Sequence, residues 1–388
     1  MSEDSFTEIT NQSWFGRIKS AFAGIIIGLI LFVAAFPLLF WNEGRSVKRY
    51  NTLKEGEGAV VAVPADNVDP ANEGRLVQLT GTADTEDTLT DGAFDISEQA
   101  IRLKRTTKMY QWKESSKSTK TKKVGGGTTT KTVYSYTKEW SEALIRSQSF
   151  KKPTGHENPG SKPYSSFTKS AKSVALGAFI LSSTLVDKIN NFTPLSVSST
   201  NAGSVELPEK VKPYDGGYYI GADPTVPKVG DLRISFAVVS PSTVSIVSKQ
   251  IGNSFSPYKT KAGGTIELLQ VGAHDAGEMF GKAHSDNKAL TWGIRVGGFF
   301  MMFFGILLML KPLSVFADVI PILGNIVETG SALIAGLIAG ICSLITIAIA
   351  WIFYRPILAI ILIAISIALA VVIREKMKSK EPVDPVFG

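Results

Sequence analysis

Uncharged apolar residues are concentrated at the two ends of the 388-residue chain, and the middle is polar. Residues 21–41 form 21 consecutive positions without a charged side chain. At about 1.5 Å rise per residue, a helix of this length crosses a hydrocarbon core of about 30 Å. The run is too long for the apolar region of a typical signal peptide, and it ends in Phe40 and Trp41 rather than in small residues. The pattern therefore predicts a retained transmembrane helix over 21–41.

A second apolar block begins near residue 292 and is long enough for three more spans. From 331 to 373 a single charged residue, Arg355, interrupts 43 apolar or small polar positions. Because Pro disfavours helix in the residue that precedes it, Arg355-Pro356 divides this stretch into two helices joined by a tight hairpin. The block therefore predicts transmembrane helices over 292–310, 331–354 and 356–373.

The segment 312–330, between the second and third predicted spans, is apolar but too interrupted to cross a membrane. We predict an interfacial or re-entrant segment whose acids, Asp318 and Glu328, face water or headgroups rather than form a proton path. Arg295 lies close enough to the start of its span for its guanidinium to reach the interface. Together with Arg355, these residues are the intramembrane or interfacial charges of the chain.

Basic residues predict the orientation of the spans. The tail, 374–388, carries Arg and Lys residues and is placed in the cytoplasm by the positive-inside rule. Four spans then return the N-terminal segment, 1–20, to the cytoplasm. Three basic residues just after the first span argue against this orientation, but long translocated domains tolerate such charge. The predicted fold class is an α+β integral membrane protein with one N-terminal and three C-terminal transmembrane helices and a large strand-rich extracytoplasmic domain, 44–291, between the first and second.

Runs of β-branched and aromatic residues alternate with Gly, Pro, Asn and Asp in this domain, which predicts mostly strands. Residues 100–114 and 132–141 resemble the arms of one long antiparallel hairpin, 100–141, with its tip around the three glycines 125–127. A short helix is expected over 183–190. Further strands are expected over 58–63, 76–82, 173–181, 232–239 and 265–271.

Positive charge is concentrated in the hairpin, because 102–138 carries eleven Lys and Arg residues and one acid, Glu114. The hairpin is therefore a candidate site for anionic headgroups or an acidic partner, and a solvated loop without a ligand is the competing interpretation. Nucleic acid is excluded by the predicted extracytoplasmic location. The candidate contact residues are Lys113, Lys117, Lys120, Lys122 and Lys123.

Each of the first three predicted spans contains two glycines four residues apart. Small residues at this spacing let helix backbones approach closely in a membrane. Contact within one subunit and contact between subunits explain the motif equally well. The six candidate packing residues are Gly24, Gly28, Gly293, Gly297, Gly336 and Gly340.

No sequence pattern predicts a catalytic, cofactor or metal site. The three glycines lack the strand before them and the Gly-Lys-Ser/Thr after them that a phosphate-binding loop requires, so a mobile hairpin tip is the better interpretation. Ser166 and Lys169 have the Ser-x-x-Lys spacing of some hydrolases, a pattern that is expected by chance in so Ser- and Lys-rich a chain. The spacing of His274, Asp275, Glu278 and His284 matches no zinc motif and fits a solvated turn. Cys342 is the single cysteine, so the chain cannot form an intrachain disulfide.

Three blocks of sequence resemble the LUMA family, also called the transmembrane protein 43 family. They are SWFGRIKSAFAGIIIGLILFVAAFPLLFWNEGR (13–45), IRLKRTTKMYQWKE (101–114) and KPLSVFADVIPILGNIVETG (311–330). The resemblance implies a four-span protein with a large lumenal or extracytoplasmic domain and no established catalytic activity. It implies the endoplasmic reticulum and inner nuclear membrane, with lamins and emerin as partners, if the source is eukaryotic, and the inner membrane if it is bacterial.

The leading functional hypothesis is a non-enzymatic membrane organiser or scaffold. Such a protein self-associates in the lipid bilayer and presents its extracytoplasmic domain to protein or lipid partners. An oligomeric channel or transporter is the alternative, in which Arg295, Asp318 and Glu328 contact the permeant. A membrane-bound hydrolase that uses Ser166 or the His274 group is the second alternative.

Overall fold

The chain divides into two compact units in the computed structural model, which describes residues 4–197, 211–357, 360, 361, 364, 365, 368 and 371. The strand-rich unit comprises residues up to 11 together with 52–121 and 129–283. The helical unit comprises 12–51, 122–128 and the residues from 284 onward.

Four α-helices, nineteen strands and two short 3₁₀ helices, Pro70–Asn72 and Ser147–Ser149, make up the regular structure of the described residues. The helices are α1 (Trp14–Ala59), α2 (Ser183–Val186), α3 (Ala276–Ala317) and α4 (Pro321–Tyr354). In chain order the strands are β1 (Ser5–Gln12), β2 (Val61–Ala62), β3 (Leu76–Asp84), β4 (Thr88–Asp91), β5 (Ile96–Gln99), β6 (Arg102–Lys122), β7 (Thr128–Ser141), β8 (Phe167–Ser170), β9 (Ala175–Leu176), β10 (Phe179–Ile180), β11 (Thr193–Leu195), β12 (Val211–Tyr214), β13 (Gly217–Ile220), β14 (Leu232–Val239), β15 (Ser242–Ile251), β16 (Ser254–Ser256), β17 (Tyr258–Lys259), β18 (Thr265–Ile266) and β19 (Leu268–Val271).

Three helices, α1, α3 and α4, are long and apolar enough to cross a membrane. The predicted combination of spanning-length helices with a strand-rich domain is therefore confirmed. The fourth predicted span, 356–373, is described only at isolated positions, and the basic tail, 374–388, lies outside the described residues. The fourth helix and the side of the membrane on which the domain lies remain predictions.

Helix α1 extends well past its predicted span of 21–41 and includes Gly58, so the strand prediction over 58–63 is wrong apart from the short β2. Apolar residues at helical spacing explain the extension. Leu53 is buried in the strand-rich unit with Ile266 and Phe280, and Val60 packs against the same cluster one heptad later. Tertiary packing of one helix face thus outweighs the local β-propensity of the sequence.

The segment 312–330 does not form a separate element. Residues 312–317 are the last turns of α3 and 321–330 are the first turns of α4, so only 318–320 interrupt the two helices. Pro321 occupies the first position of α4, where its missing N–H costs nothing. The proposed location at the membrane interface remains a prediction.

Two antiparallel sheets organise the strand-rich unit. The larger sheet has the strand order β1-β7-β6-β14-β13-β12, with β8 paired to β6 and β11 paired to β14. The second sheet has the order β10-β9-β3-β15-β16, with β19 paired to β15 and β2 paired in parallel to β3. The strands predicted over 173–181 and 265–271 are each divided into two, β9 with β10 and β18 with β19. Gly177, which has a φ of 60°, forms the turn between β9 and β10.

Alternation of buried and exposed positions anchors the larger sheet. In β14, Leu232, Ile234, Phe236 and Val238 are buried, and the last three form a cluster with Tyr218 and Phe94 of neighbouring segments. A separate core cluster covers the second sheet and includes Ile246 and Phe179. Strands β6 and β7 are neighbours in the larger sheet, in agreement with the predicted long hairpin.

One core-facing position of β6 carries a charge that the sequence analysis did not single out. Arg105 is buried, and its Nη1 lies 2.9 and 2.7 Å from the two carboxylate oxygens of buried Asp91. The guanidinium also lies 4.5 Å from the ring centre of Phe167. The sheet therefore contains a buried ion pair. Replacing either partner with a neutral residue would leave the other as an unpaired buried charge.

We expect Asp91→Ala to destabilise the strand-rich unit by about 3 kcal/mol, because Arg105 would remain buried without a counter-charge. Thermal unfolding of the purified full-length protein measures the loss. Glu139→Ala is the matched control, since Glu139 pairs with Lys113 at an exposed site and such pairs contribute little. Equal melting temperatures for the two variants would contradict the prediction.

Candidate functional site

A group of polar side chains, named here the Glu43 cluster, connects α1, α3 and α4 in the helical unit. Glu43 is completely buried, and its Oε1 and Oε2 lie 2.7 and 2.8 Å from Nε and Nη2 of Arg295 on α3. The indole N–H of Trp351 on α4 donates to the same carboxylate at 2.9 Å. A two-point guanidinium–carboxylate contact is strong and directional, so it fixes the rotation of three helices relative to one another.

The remaining members of the Glu43 cluster join α1 to α3 one turn away. Arg45 donates to the side-chain oxygens of Asn287 and Thr291, each at 3.0 Å. Asn42 donates to the main-chain oxygen of Thr291 at 3.1 Å, and Thr291 donates to Ser46 at 2.9 Å. These contacts satisfy polar groups that would be costly to bury alone.

Local sequence explains why the cluster forms where it does. Asn42, Glu43, Gly44 and Arg45 follow the last residue of the uncharged run, so α1 turns polar within one turn. Gly44 allows the ring of Tyr354 to approach, because an added Cβ would lie 2.6 Å from the Tyr354 Cζ atom. Glycine is therefore required at a close helix–helix approach inside the polar turn.

Arg295 has a partner that its sequence position does not indicate. Its side chain is mostly buried and paired with Glu43, and the predicted reach of its guanidinium to the membrane interface remains a prediction. The guanidinium carbon also lies 4.9 Å from the ring centre of Trp292. The buried carboxylate 252 residues earlier in the chain decides the position of this charge.

A second group, the Asp318 cluster, lies where α3 ends and α4 begins. Asp318 is completely buried and forms an ion pair with Arg17 of α1, which is also buried. Its Oδ1 lies 2.8 Å from Nζ of Lys122, and Lys122 also contacts Glu328 at 2.8 Å. The expectation that both acids face water is wrong for Asp318, because two cations hold it inside the protein. Glu328 is 65% exposed.

Lys122 therefore has partners within the chain. Burial lowers its pKa, but hydrogen bonds to Asp318 and Glu328 and the charge of both carboxylates outweigh burial, so the pKa of Lys122 lies above its ordinary value. The ammonium also donates to the side-chain oxygen of Asn325 at 2.8 Å. Lys122 remains charged at neutral pH and is bound to acids of the helical unit.

The hairpin tip, residues 122–128, belongs to the helical unit and contacts residues of α1 and of the junction between α3 and α4 there. The N–H of Gly125 donates to the main-chain oxygen of Val319 at 3.1 Å, and Arg17 donates to the main-chain oxygen of Gly126 at 2.6 Å. The Trp14 indole covers Gly126, whose φ of 79° and lack of a Cβ permit this contact. Gly126 thus allows the tip to pack closely against Trp14, and these contacts differ from the free loop that the sequence suggested.

The other basic candidates of the hairpin lie on its arms and tip. Lys113 is paired with Glu139 at 2.9 Å. Lys117 is exposed and lines an open groove of about 450 Å³ between the arms, together with serines and threonines. Lys120 and Lys123 are exposed and have interactions of their own. Contact with an anionic partner at these lysines remains a prediction.

Arg355, the last of the predicted interfacial charges, follows the end of α4. It lines an open groove of about 520 Å³ together with Val47, Tyr50 and Tyr354. Its guanidinium carbon lies 5.8 Å from the ring centre of Trp351. The groove combines one cation with mostly apolar walls.

The predicted glycine pairs differ in how closely neighbouring helices approach them. Gly28 packs tightly against α3, since an added Cβ would lie 2.9 Å from Cβ of Leu308. At Gly24 an added Cβ would lie 3.8 Å from Cδ2 of the same leucine, an ordinary contact. At Gly336 an added Cβ would lie 3.8 Å from Cε2 of Phe303. An added Cβ at Gly293, Gly297 or Gly340 would have no described heavy atom within 4 Å.

Four of the residues considered for catalysis or metal binding, Ser166, Lys169, His274 and Asp275, contact neighbours within the strand-rich unit. The Oγ of Ser166 accepts from the Thr107 N–H at 3.0 Å, and Lys169 donates to the main-chain oxygen of Thr90 at 2.7 Å, so each has a separate partner. His274 contacts Glu278 at 3.1 Å, and Asp275 accepts from the N–H of Glu278 at the start of α3. Residues 276–284 of the predicted solvated turn are helical, because α3 begins at Ala276.

Within the described residues, no three His, Cys, Asp or Glu side chains are arranged to hold a metal ion. Arg295 neutralises Glu43 in the first cluster, and Arg17 and Lys122 neutralise Asp318 and Glu328 in the second. The guanidinium of Arg45 is bound by neutral oxygens of Asn287 and Thr291. The geometry of the two clusters suits the fixing of helix register better than the binding of a reacting group.

We expect Glu43→Ala to destabilise the helical unit by about 3–5 kcal/mol, because Arg295 would be left with an unpaired buried charge. Arg295→Lys should be only partly tolerated, since an ammonium cannot make the two-point contact. Glu43→Leu combined with Arg295→Leu should recover part of the loss. The measurement is thermal unfolding in detergent, with Glu278→Ala, an exposed carboxylate on the same helix as Arg295, as control. A Glu43→Ala protein as stable as this control would contradict the assignment.

Comparison with known proteins identifies the family of the chain. The sequence profile of the family described as Transmembrane protein 43 matches residues 109–356. Transmembrane protein 43 of Rattus norvegicus and of Homo sapiens are each 34% identical over 376 residues, which cover 94% of this chain and 93% of theirs. The Transmembrane protein 43 homolog of Drosophila melanogaster is 30% identical over 355 residues, 88% of this chain and 91% of its own. No solved structure matches the chain. The chain therefore belongs to the transmembrane protein 43 family.

Proposed function

We propose that this protein is a non-enzymatic membrane organiser that self-associates and holds its strand-rich unit at the membrane for protein or lipid partners. The observation that carries the proposal is the contrast between paired charges and a small-residue face on which no described residue packs. Glu43, Arg295 and Asp318 each form an ion pair within the chain. Gly293 and Gly297 on α3 have no described atom near them.

The uncovered face has the properties of a helix-packing surface. Helices associate in lipid through close van der Waals packing rather than through hydrophobic burial, so small residues one turn apart favour contact. Gly28 illustrates this within the chain, because the backbone of α3 at Gly305 approaches it closely. Gly293 and Gly297 present the same spacing without a described neighbour, which supports a partner helix from a second copy.

The paired charges disfavour the channel alternative. A permeant that contacts Arg295 or Asp318 would have to replace partners that hold both side chains in buried positions. Breaking such a pair on one side is costly in a low-dielectric environment. Absence of ion flux through liposomes that contain the purified protein is the corresponding expectation.

Orientation and compartment belong to the same proposal. The basic tail supports a cytoplasmic C-terminus and, with four spans, an extracytoplasmic position for the domain between the first and second spans, 44–291. Lamins and emerin are candidate partners if the source is eukaryotic, and the inner membrane is the expected compartment if it is bacterial.

We expect Gly293→Leu combined with Gly297→Leu to shift the protein from a discrete multimer to a monomer. Leucine side chains would fill the surface on which a second backbone is proposed to pack. The measurement is the protein mass in lipid nanodiscs or mild detergent, by light scattering corrected for bound amphiphile.

Gly281→Leu is the matched control, because Gly281 lies on the same helix with no described atom near it but within the strand-rich unit. A strictly monomeric parent protein that captures no partner would refute the organiser proposal. An unchanged multimer in the double variant would instead refute the assignment of the α3 face.

A further inference from the structure

An open groove lies between α1 and the residues that follow α4, within the helical unit. It has a volume of about 520 Å³, and Arg355 is the one charged side chain among its described lining residues. Its apolar wall includes Val47, Ile357 and Ile361, and Asn51 contributes a neutral polar group. The groove therefore combines a single positive charge with an apolar surface.

Arg355 differs from three other arginines of the helical unit in its lack of a polar partner. Arg17 and Arg295 are each paired with a buried carboxylate, and Arg45 donates to neutral side-chain oxygens. The Arg355 guanidinium carbon lies 5.8 Å from the ring centre of Trp351, and within the part of the chain that the structure describes this guanidinium has no carboxylate or hydrogen-bond partner. Its N–H donors are therefore available to a ligand.

The groove lies at the level that lipid headgroups occupy. Tyr354 packs on Gly44, because an added Cβ at Gly44 would lie 2.6 Å from the Tyr354 Cζ atom. Gly44 follows Trp41, the last residue of the uncharged run, by three residues, or about 4.5 Å along α1. Each headgroup layer adds about 5–7 Å to the hydrocarbon core, so Arg355, the neighbour of Tyr354, is level with phosphates rather than with acyl chains.

Exposed aromatic and apolar side chains indicate that this level of the helical unit faces lipid. Trp41, Trp292 and Tyr50 are exposed, and tryptophan and tyrosine are enriched where a membrane meets water. Ile357, in the apolar wall of the groove, is 75% exposed. A ligand with an acyl chain matches this wall, because a soluble anion would leave the same apolar surface in water.

We infer that the groove binds one anionic glycerophospholipid, whose phosphate is held by Arg355 and whose acyl chain lies along the apolar wall. A guanidinium can contact a phosphate at two points. Asn51 and the hydroxyls of Tyr50 and Tyr354 line the same groove and can donate to phosphate or glycerol oxygens. The described lining contains no acid to bind the ammonium of a zwitterionic headgroup, which favours a headgroup with net negative charge. The inference rests on the lipid-binding part of the proposed function and gives it a class of ligand.

Native mass spectrometry of the full-length protein in mild detergent tests the site, because it counts the lipid molecules bound to each protein. The probes are phosphatidylglycerol and phosphatidylcholine that carry the same two acyl chains. We expect the first phosphatidylglycerol molecule to bind more tightly than later ones and more tightly than phosphatidylcholine.

Arg355→Gln should weaken this first binding step about tenfold, because charge-assisted hydrogen bonds to the phosphate are lost. Arg355→Lys should retain part of the affinity, since an ammonium keeps the charge but not the two-point contact. Val47→Trp leaves the charge in place and fills the groove, so it should also weaken binding. Lys48→Gln is the matched control, because Lys48 is an exposed basic residue on α1 that does not line the groove. Each variant should elute and melt like the parent protein before lipid is added.

Equal binding of the two lipids, or equal losses in Arg355→Gln and Lys48→Gln, would overturn the inference in favour of non-specific surface charge. Efficient competition by glycerol phosphate, which has no acyl chains, would overturn a lipid as the occupant. Bound lipid is counted on monomer and multimer alike. Failure of the lipid site would therefore leave the self-association proposal intact, and a monomeric protein that binds the lipid would refute self-association alone.

Discussion

The buried carboxylate of Glu43 is the constraint on which the helical unit depends. An ionised group without solvent must have its charge neutralised and its oxygens hydrogen-bonded, or the fold that buries it is unstable. Arg295 and Trp351 meet that requirement from two other helices. One residue of α1 thereby determines which faces of α3 and α4 turn inward. Lipid offers no hydrophobic gain for one helix pairing over another, so polar contacts of this kind are the natural source of a unique arrangement.

Much of the architecture was predictable because its signals are local. The uncharged length of 21–41 specifies a membrane-spanning helix, and the alternation in 232–239 matches strand β14 at both ends. Predictions failed where distant contacts override local preference. Gly58 looks like the start of a strand, but Leu53 of α1 and Val60, just after the end of the helix, pack against the strand-rich core. The ends of α3 and α4 extend through a segment whose prolines and acids suggested a break.

The clusters were harder to predict than the fold. Arg295 and Asp318 were recognised as unusual charges, yet their partners are hundreds of positions away and no spacing rule connects them. Arg105 with Asp91 was missed for a related reason, because a charge in an alternating strand is usually assigned to the solvent face. A buried charge that belongs to no motif can be noticed in a sequence only as a charged residue in an otherwise apolar segment. Its partner becomes apparent only from the fold.

The ion pair of Glu43 and Arg295 also has an electrical consequence. A single charge that moves across a membrane exchanges about 2.3 kcal/mol with the transmembrane potential for every 100 mV. Two opposite charges joined at two points move together and carry no net charge through that field. The transmembrane potential therefore exerts no net force on this pair, so the contact between α1 and α3 that it makes is not itself a voltage-sensitive one.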